Sequence, residues 1–137
     1  MSGAVSTSDP VAHGTLLEIK DGFIVLGVHG TDYRVQLVVS APIQKAVGDH
    51  VSGTIHATAK RVDAIPTGGR FIDPVYGRPR RLQGRVFSLD PVKNVISIYA
   101  GLPFHCTMMA EQKTSQFELG QMVAFDIERG ARFELEH

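Results

Sequence analysis

The chain has 137 residues, of which 43% are hydrophobic and 20% are charged. That balance supports a packed core and excludes wholesale disorder, and the length suffices for one ordinary domain or two very small ones. Because the formal net charge is zero, a globally basic nucleic-acid binder is not indicated. The single cysteine, Cys106, excludes an internal disulfide.

Residues 1–11 are small and mostly polar and predict a flexible leader without the features of a signal peptide. Apolar and polar residues then alternate in a way that predicts strands at 14–20, 23–28 and 33–40. Asp21-Gly22 is a tight-turn pair between the first two of them. A short helical turn is expected at 41–46, and a fourth strand begins at Asp49 and runs or bends on towards Val62.

The second half repeats this order, with strands predicted at 84–90, 95–100, 104–110, 120–127 and 133–135 and a possible helical turn within 111–118. The end of the chain, residues 135–137, resembles the remnant of a vector-derived histidine tag, with a native C-terminus as the alternative. His137 is therefore left out of the candidate sites.

Matched positions in the two halves predict an internal duplication. They lie 70 or 72 residues apart, because the first turn of the second half is longer: Gly14 with Gly84, Ile24 with Ile96, Gly48 with Gly120, Val51 with Val123, and Ile55 with Ile127. We expect one β unit at residues 12–65, a basic joint rich in proline and glycine at 66–81, and a second β unit at 82–135.

Thirteen positions carry a family resemblance: Gly14, Ile19, Ser40, Gly48, Asp49, Val51 and Ile55, then Gly84, Leu89, Gly120, Gln121, Val123 and Ile127. On these positions each half resembles the oligonucleotide/oligosaccharide-binding barrel, the OB-fold, and is similar to the transport-associated OB units of molybdate-binding proteins. The resemblance implies an all-β fold of two pseudo-repeated OB-like small barrels, or one composite barrel, with short helical turns. Molybdate binders place an asparagine at the start of the first strand, where this chain has His13-Gly14.

The joint and its flanks carry most of the positive charge. Seven residues of 60–85 are basic and two are acidic, so this segment carries +5 and the rest of the chain −5. Arginines can neutralise phosphates and aromatic rings can stack on exposed bases. The candidate residues for binding an anionic partner are Arg61, Arg70, Phe71, Tyr76, Arg78, Arg80, Arg81 and Arg85. The alternative is a solvated connector whose arginines pair with acidic residues while Phe71 and Tyr76 fill a core between the units.

Nothing in the pattern predicts catalysis, a metal or a cofactor. No two histidines have metal-ligand spacing on one element, and the scattered aspartates lie at turns, where turn chemistry explains them. Cys106 has no neighbouring base and is expected to be a small buried hydrophobe. Arg81-x-x-x-Arg85 resembles the first motif of the cyclic-dinucleotide-binding PilZ family, but the serine and glycine of its second motif are missing.

We therefore expect a cytoplasmic, non-enzymatic binding module that does not contact a membrane. Its partner would be single-stranded nucleic acid or another anionic partner, such as an acidic protein, bound through the basic joint. Two alternatives stay open. One is a structural module that self-assembles into a homo-oligomer through exposed strand edges, and the other is a binder of small oxyanions similar to molybdate.

Overall fold

The structure, a computed structural model, describes residues 10–136. Most of the predicted leader and the last residue of the predicted tag remnant, His137, lie outside the described residues. Within the described range the fold is all-β, as predicted, with twelve strands and one short 3-10 turn. No helix in this range is long and apolar enough to cross a membrane.

The strands follow the predicted order closely. The first half contains β1 (Ala12–Lys20), β2 (Phe23–Gly27), β3 (Arg34–Val38) and β4 (His50–Thr58). β5 (Asp63–Ala64) lies at the end of the expected first unit, and the joint contributes β6 (Phe71–Asp73) and β7 (Tyr76–Gly77). The second half contains β8 (Arg81–Asp90), β9 (Val95–Tyr99), β10 (Pro103–Thr107), β11 (Met122–Asp126) and β12 (Arg132–Leu135).

Local sequence explains the first hairpin. Asp21-Gly22 turns the chain between Lys20 and Phe23, which are directly paired, and Gly22 has a φ of 87°, a conformation that glycine adopts without steric cost. Along β2 the side chains alternate between buried and half-buried. This alternation places one face of each strand in the core and the other towards solvent.

Five strands close into a small barrel in the order β1-β2-β3-β12-β4, because β4 pairs back onto β1. The last strand of the chain completes it: β12 runs parallel to β3 and antiparallel to β4. This arrangement is compatible with an OB-like barrel. Fully or almost fully buried side chains fill its interior, among them Leu16, Ile24, Leu37, Ile55 and Phe133.

β4 also connects this barrel to the other strands. Its C-terminal end pairs in parallel with β10, and the sheet continues from β10 through β9 and β8 to β11. A bridge between Ala59 and Ile127 leads from the end of β11 back to the chain just beyond β4. β10 and β12 of the expected second unit therefore both pair with β4 of the expected first unit, so the two halves share one continuous sheet.

Two backbone features of the first half recur in the second half at positions 70 or 72 residues later. The Leu16 amide donates to the Asp49 carbonyl over 2.9 Å, and the Val86 amide donates to the Gln121 carbonyl over the same distance. The register of the β1–β2 pair shifts between Leu16 and Glu18, and that of the β8–β9 pair between Val86 and Ser88. A duplication would produce such recurrence; the duplication and the unit boundaries stay predictions.

One of the two expected helical turns forms. Thr114–Gln116 is a 3-10 turn within the predicted range 111–118, whereas the helical turn predicted at 41–46 is wrong. That segment is exposed apart from the half-buried Ile43, so no packing offsets the unfavourable nucleation of a helix. The chain instead turns where the Ala46 amide donates to the Asp49 carboxylate over 2.9 Å.

Candidate functional site

The joint forms a loop whose two ends are held together by backbone hydrogen bonds. β6 pairs with the start of β8, and the Arg80 amide donates to the Asp73 carbonyl over 2.8 Å, which closes the loop at its base. At the other end of the loop, Tyr76 pairs with Arg34 of β3. The backbone of the joint is therefore held at both ends by strands from different parts of the chain.

Five basic side chains converge at the base of this loop and line a groove of about 570 Å³. Three acidic side chains share it. We call it the basic groove, and its charged residues are Lys60, Arg78, Arg80, Arg81 and Arg129 with Asp73, Asp126 and Glu128. The groove joins the predicted basic segment to residues 126–129, which form the end of β11 and the turn after it.

The charges of the basic groove are only partly paired. Arg81 donates to the Asp126 carboxylate over 2.9 Å, and both side chains are about half exposed. Within residues 10–136, the other four basic side chains of the groove form no ion pair. With five cations against three carboxylates, the groove has an excess of two positive charges and offers arginines that can contact an added anion.

Tyr76 lies on the same loop, at the end that pairs with β3, and is 60% exposed. The Arg34 guanidinium lies 5.0 Å from its ring centroid, within the range of a cation–π contact. The contact orients the ring, and the high exposure shows that much of its surface stays accessible. An exposed, oriented ring can stack on a planar group.

Arg70 lies away from the groove, in a cavity of about 380 Å³. We call it the aromatic cavity, and it is lined by Val11, His13, Val28, His29, Thr31, Tyr33, Arg70, Tyr99, Ala100, Gly101, Leu102 and Pro103. These residues come from the start of the chain, the β2–β3 turn, the joint and the β9–β10 turn. The Arg70 guanidinium lies 5.0 Å from the Tyr99 ring centroid.

The eight candidate residues do not form one surface. Arg78, Arg80 and Arg81 line the basic groove, and Arg70 lines the aromatic cavity. Tyr76 is at the exposed end of the loop. The other three lie elsewhere: Arg61 pairs with Asp63, Arg85 donates to the Gly120 carbonyl, and Phe71 is half-buried on β6.

Sequence reasoning missed several residues that line these two sites. Arg129 belongs to the basic groove, although it falls between two predicted strands and outside the predicted basic segment. Tyr33 and Tyr99 line the aromatic cavity, although each was assigned only to a predicted strand. No local signal distinguishes these residues, because each reaches its site through strand pairing between distant segments.

Directly paired residues on β12, β4, β10 and β9 form a row of polar side chains, which consists of Arg132, His56, His105 and Ser97. His105 is central: its Nε2 lies 2.9 Å from the Pro10 carbonyl and its Nδ1 lies 2.7 Å from Ser97 Oγ. A carbonyl only accepts, so Nε2 donates to the Pro10 carbonyl. Because Ser97 is 3% exposed, this chain of hydrogen bonds holds strands together and does not present a nucleophile.

His56 is paired with His105 in this row, and Glu134 lies close to His56. His56 Nε2 lies 2.8 Å from Thr54 Oγ1 and 3.8 Å from the Glu134 carboxylate. Burial lowers the pKa of His56, and the Glu134 charge partly opposes that effect. The hydrogen bond from Arg132, and then the charge of His56, lower the pKa of Glu134.

Other kinds of site are not supported. Within residues 10–136, no group of three or more histidine, cysteine, aspartate or glutamate side chains could hold a metal ion. Cys106 is buried, and burial raises the pKa of its thiol far above the ordinary value. No protein-family model, curated protein or solved structure matches this chain, so its function is inferred from the groove and the cavity themselves.

Proposed function

We propose that this chain is a non-enzymatic binding module whose basic groove holds the phosphate backbone of single-stranded nucleic acid. One observation carries the proposal: basic side chains from the segment just after β4, the end of the joint and the residues after β11 converge on one groove, and four of the five form no ion pair within the described range. Guanidinium groups bind phosphate oxygens in a bidentate manner. Phosphate contacts of this kind supply most sequence-independent affinity for nucleic acids.

Tyr76 favours a single strand as the partner. Its ring is exposed and stands on the same loop as Arg78 and Arg80. Stacking on an aromatic ring requires an unpaired base, and it contributes roughly 1–3 kcal/mol per base. A strand whose phosphates follow the groove and whose base covers Tyr76 would use both features.

A tandem OB-like architecture and a cytoplasmic location are further parts of this proposal. The order of the closed five-stranded barrel and the recurring hydrogen bonds at Leu16 and Val86 support two related barrels. OB-folds commonly bind oligonucleotides. In this chain, however, three of the five basic residues of the proposed site, Arg78, Arg80 and Arg81, belong to the joint, which lies outside the two predicted repeat units.

The charge excess predicts weak, salt-sensitive binding. The excess of two positive charges suffices for about two phosphates, so log K should fall with log salt concentration with a slope of about −1.4, at −0.7 per phosphate of a single strand. Asp73 and Glu128 would repel further phosphates. We therefore expect affinity that is measurable at low salt and lost near physiological ionic strength.

The test is fluorescence anisotropy with a labelled oligonucleotide of about 12 nucleotides, within the range of site sizes for one OB-like barrel. The intact chain should bind, and Arg78→Ala with Arg80→Ala should weaken binding at least tenfold and flatten the salt slope. The matched control is Lys45→Ala with Lys93→Ala, which removes the same charge from exposed positions outside the groove. Equal loss in both double variants, or no binding by the intact chain at low salt, would overturn the proposal.

A further inference from the structure

We propose that the aromatic cavity is a second, separate site, which binds a small ligand that combines a planar heterocyclic ring with a phosphate, as in a nucleoside monophosphate. This inference does not depend on the basic groove. It rests on the charge of the cavity walls, on the rings that form them and on the way two hairpin turns and the joint enclose the space.

The walls of the aromatic cavity select for an anion. Arg70 is its one arginine or lysine, and no aspartate or glutamate of the described range lines it. The basic groove differs, since three carboxylates lie among its five cations. A guanidinium without a neighbouring carboxylate can contribute its full charge-assisted hydrogen bonds to a phosphate.

The same walls favour a planar group. Tyr33 and Tyr99 supply two phenol rings, and the Arg70 guanidinium is already positioned over the Tyr99 ring at 5.0 Å. Tyr33 is fixed at its far end, where its hydroxyl accepts a hydrogen bond from the Ile72 amide over 3.1 Å. Rings that are held in place lose little conformational entropy when a ligand ring stacks on them.

The backbone leaves room for this ligand. Gly101 has a φ of 107°, and a Cβ at this position would come within 3.6 Å of the Tyr33 ring. A larger residue would therefore be strained and would reduce the space beside the ring. The cavity volume of about 380 Å³ falls in the range of small-molecule sites, roughly 300–1,000 Å³.

The cavity lies where separate parts of the chain meet, as small-molecule sites often do. His29 and Tyr33 come from the β2–β3 turn, Tyr99 from the end of β9, Gly101 from the β9–β10 turn, and Arg70 from the joint. A ligand between them would contact all three segments at once. Its binding should therefore stabilise the folded chain in proportion to ligand concentration.

Isothermal titration calorimetry with adenosine monophosphate tests the proposal, with adenosine and inorganic phosphate as the two partial ligands. The nucleotide should bind at least tenfold more tightly than either part. Arg70→Ala should weaken nucleotide binding by about tenfold to a hundredfold, as expected for loss of a charge-assisted hydrogen bond, and Tyr99→Leu should weaken it as well. Arg61→Ala is the matched control, because Arg61 is an exposed arginine of the same segment that pairs with Asp63 outside the cavity.

Two further results separate this site from the basic groove. The Arg78→Ala/Arg80→Ala variant should keep full affinity for the nucleotide while it loses the oligonucleotide, so each site can fail without the other. Thermal unfolding with and without nucleotide shows whether each variant is folded and provides a second measure of binding. The inference would be overturned if the intact chain gave neither heat nor a thermal shift with the nucleotide. Equal nucleotide affinity in the Arg70 and Arg61 variants, or loss of nucleotide binding in the Arg78→Ala/Arg80→Ala variant, would overturn it as well.

Discussion

Gly84 on β8 lies directly against the backbone carbonyl of Tyr99 on β9, so that a Cβ at residue 84 would overlap the carbonyl oxygen. The matched position behaves in the same way: a Cβ on Gly14 of β1 would come within 2.7 Å of the Gly27 carbonyl oxygen on β2. Glycine is required at both places by the close approach of two strands, and not by a positive φ.

Gly84→Ala should therefore destabilise the fold. The added methyl group meets backbone, which cannot move without disturbing the pairing of β8 with β9, so we expect a loss of about 1–3 kcal/mol in the free energy of unfolding. Urea unfolding followed by circular dichroism measures it. Gly69→Ala is the control, because nothing lies within 4 Å of a Cβ there, and it should change stability by less than about 0.5 kcal/mol. Equal midpoints for the two variants would contradict this packing.

Cys106 should not react with thiol reagents in the folded chain. It is fully buried on β10 between Ala57 of β4 and Ile96 of β9, and burial raises the pKa of its thiol, so neither access nor the reactive thiolate is available. Colorimetric thiol titration at mildly alkaline pH should give at least a hundredfold slower reaction than the same titration in guanidinium chloride. Rapid stoichiometric reaction under native conditions would show that this part of the core opens.

The His56–Glu134 pair predicts a pH dependence of stability. The pKa of folded His56 lies below its ordinary value of 6.5. As the pH falls, the unfolded chain therefore binds a proton at His56 before the folded chain does, and this favours unfolding. The contribution of His56 is therefore present above about pH 6.5 and is lost as the pH falls through the lowered folded pKa. His56→Gln should make stability less dependent on pH in this window, as urea unfolding at a series of pH values would show.

Proton NMR titration of the His56 ring tests the cause of the shift directly. Glu134→Gln removes the charge that raises the pKa of His56, so the pKa should fall further. Arg132→Gln removes a charge that lowers it, so the pKa should rise. Shifts in the same direction for both variants would contradict the assigned electrostatics.

The sequence determined the longer strands of the two halves and most of the turns, but not the three short strands β5, β6 and β7. Alternation of apolar and polar residues, as from Arg34 to Val38, is set by the two-residue period of a strand, and Asp21-Gly22 encodes its turn within two residues. These are local properties, so they can be read without knowing what each strand contacts. The basic character of the joint is also a local property, and by itself it indicated three of the five cations of the basic groove.

Only the tertiary structure decided which strands meet. The pairing of β12 with β3 and β4 brings the end of the chain into the first barrel, and the antiparallel pairing of β11 with β8 brings the segment that leads to Arg129 beside Arg81. Likewise, Arg70 meets Tyr99 because β6, which follows Arg70, and β9, which ends at Tyr99, both pair with β8. An alternating pattern states which face of a strand is buried, but many partners could cover that face. The choice among them depends on how all the buried faces pack together, and this long-range packing placed the side chains of both proposed sites.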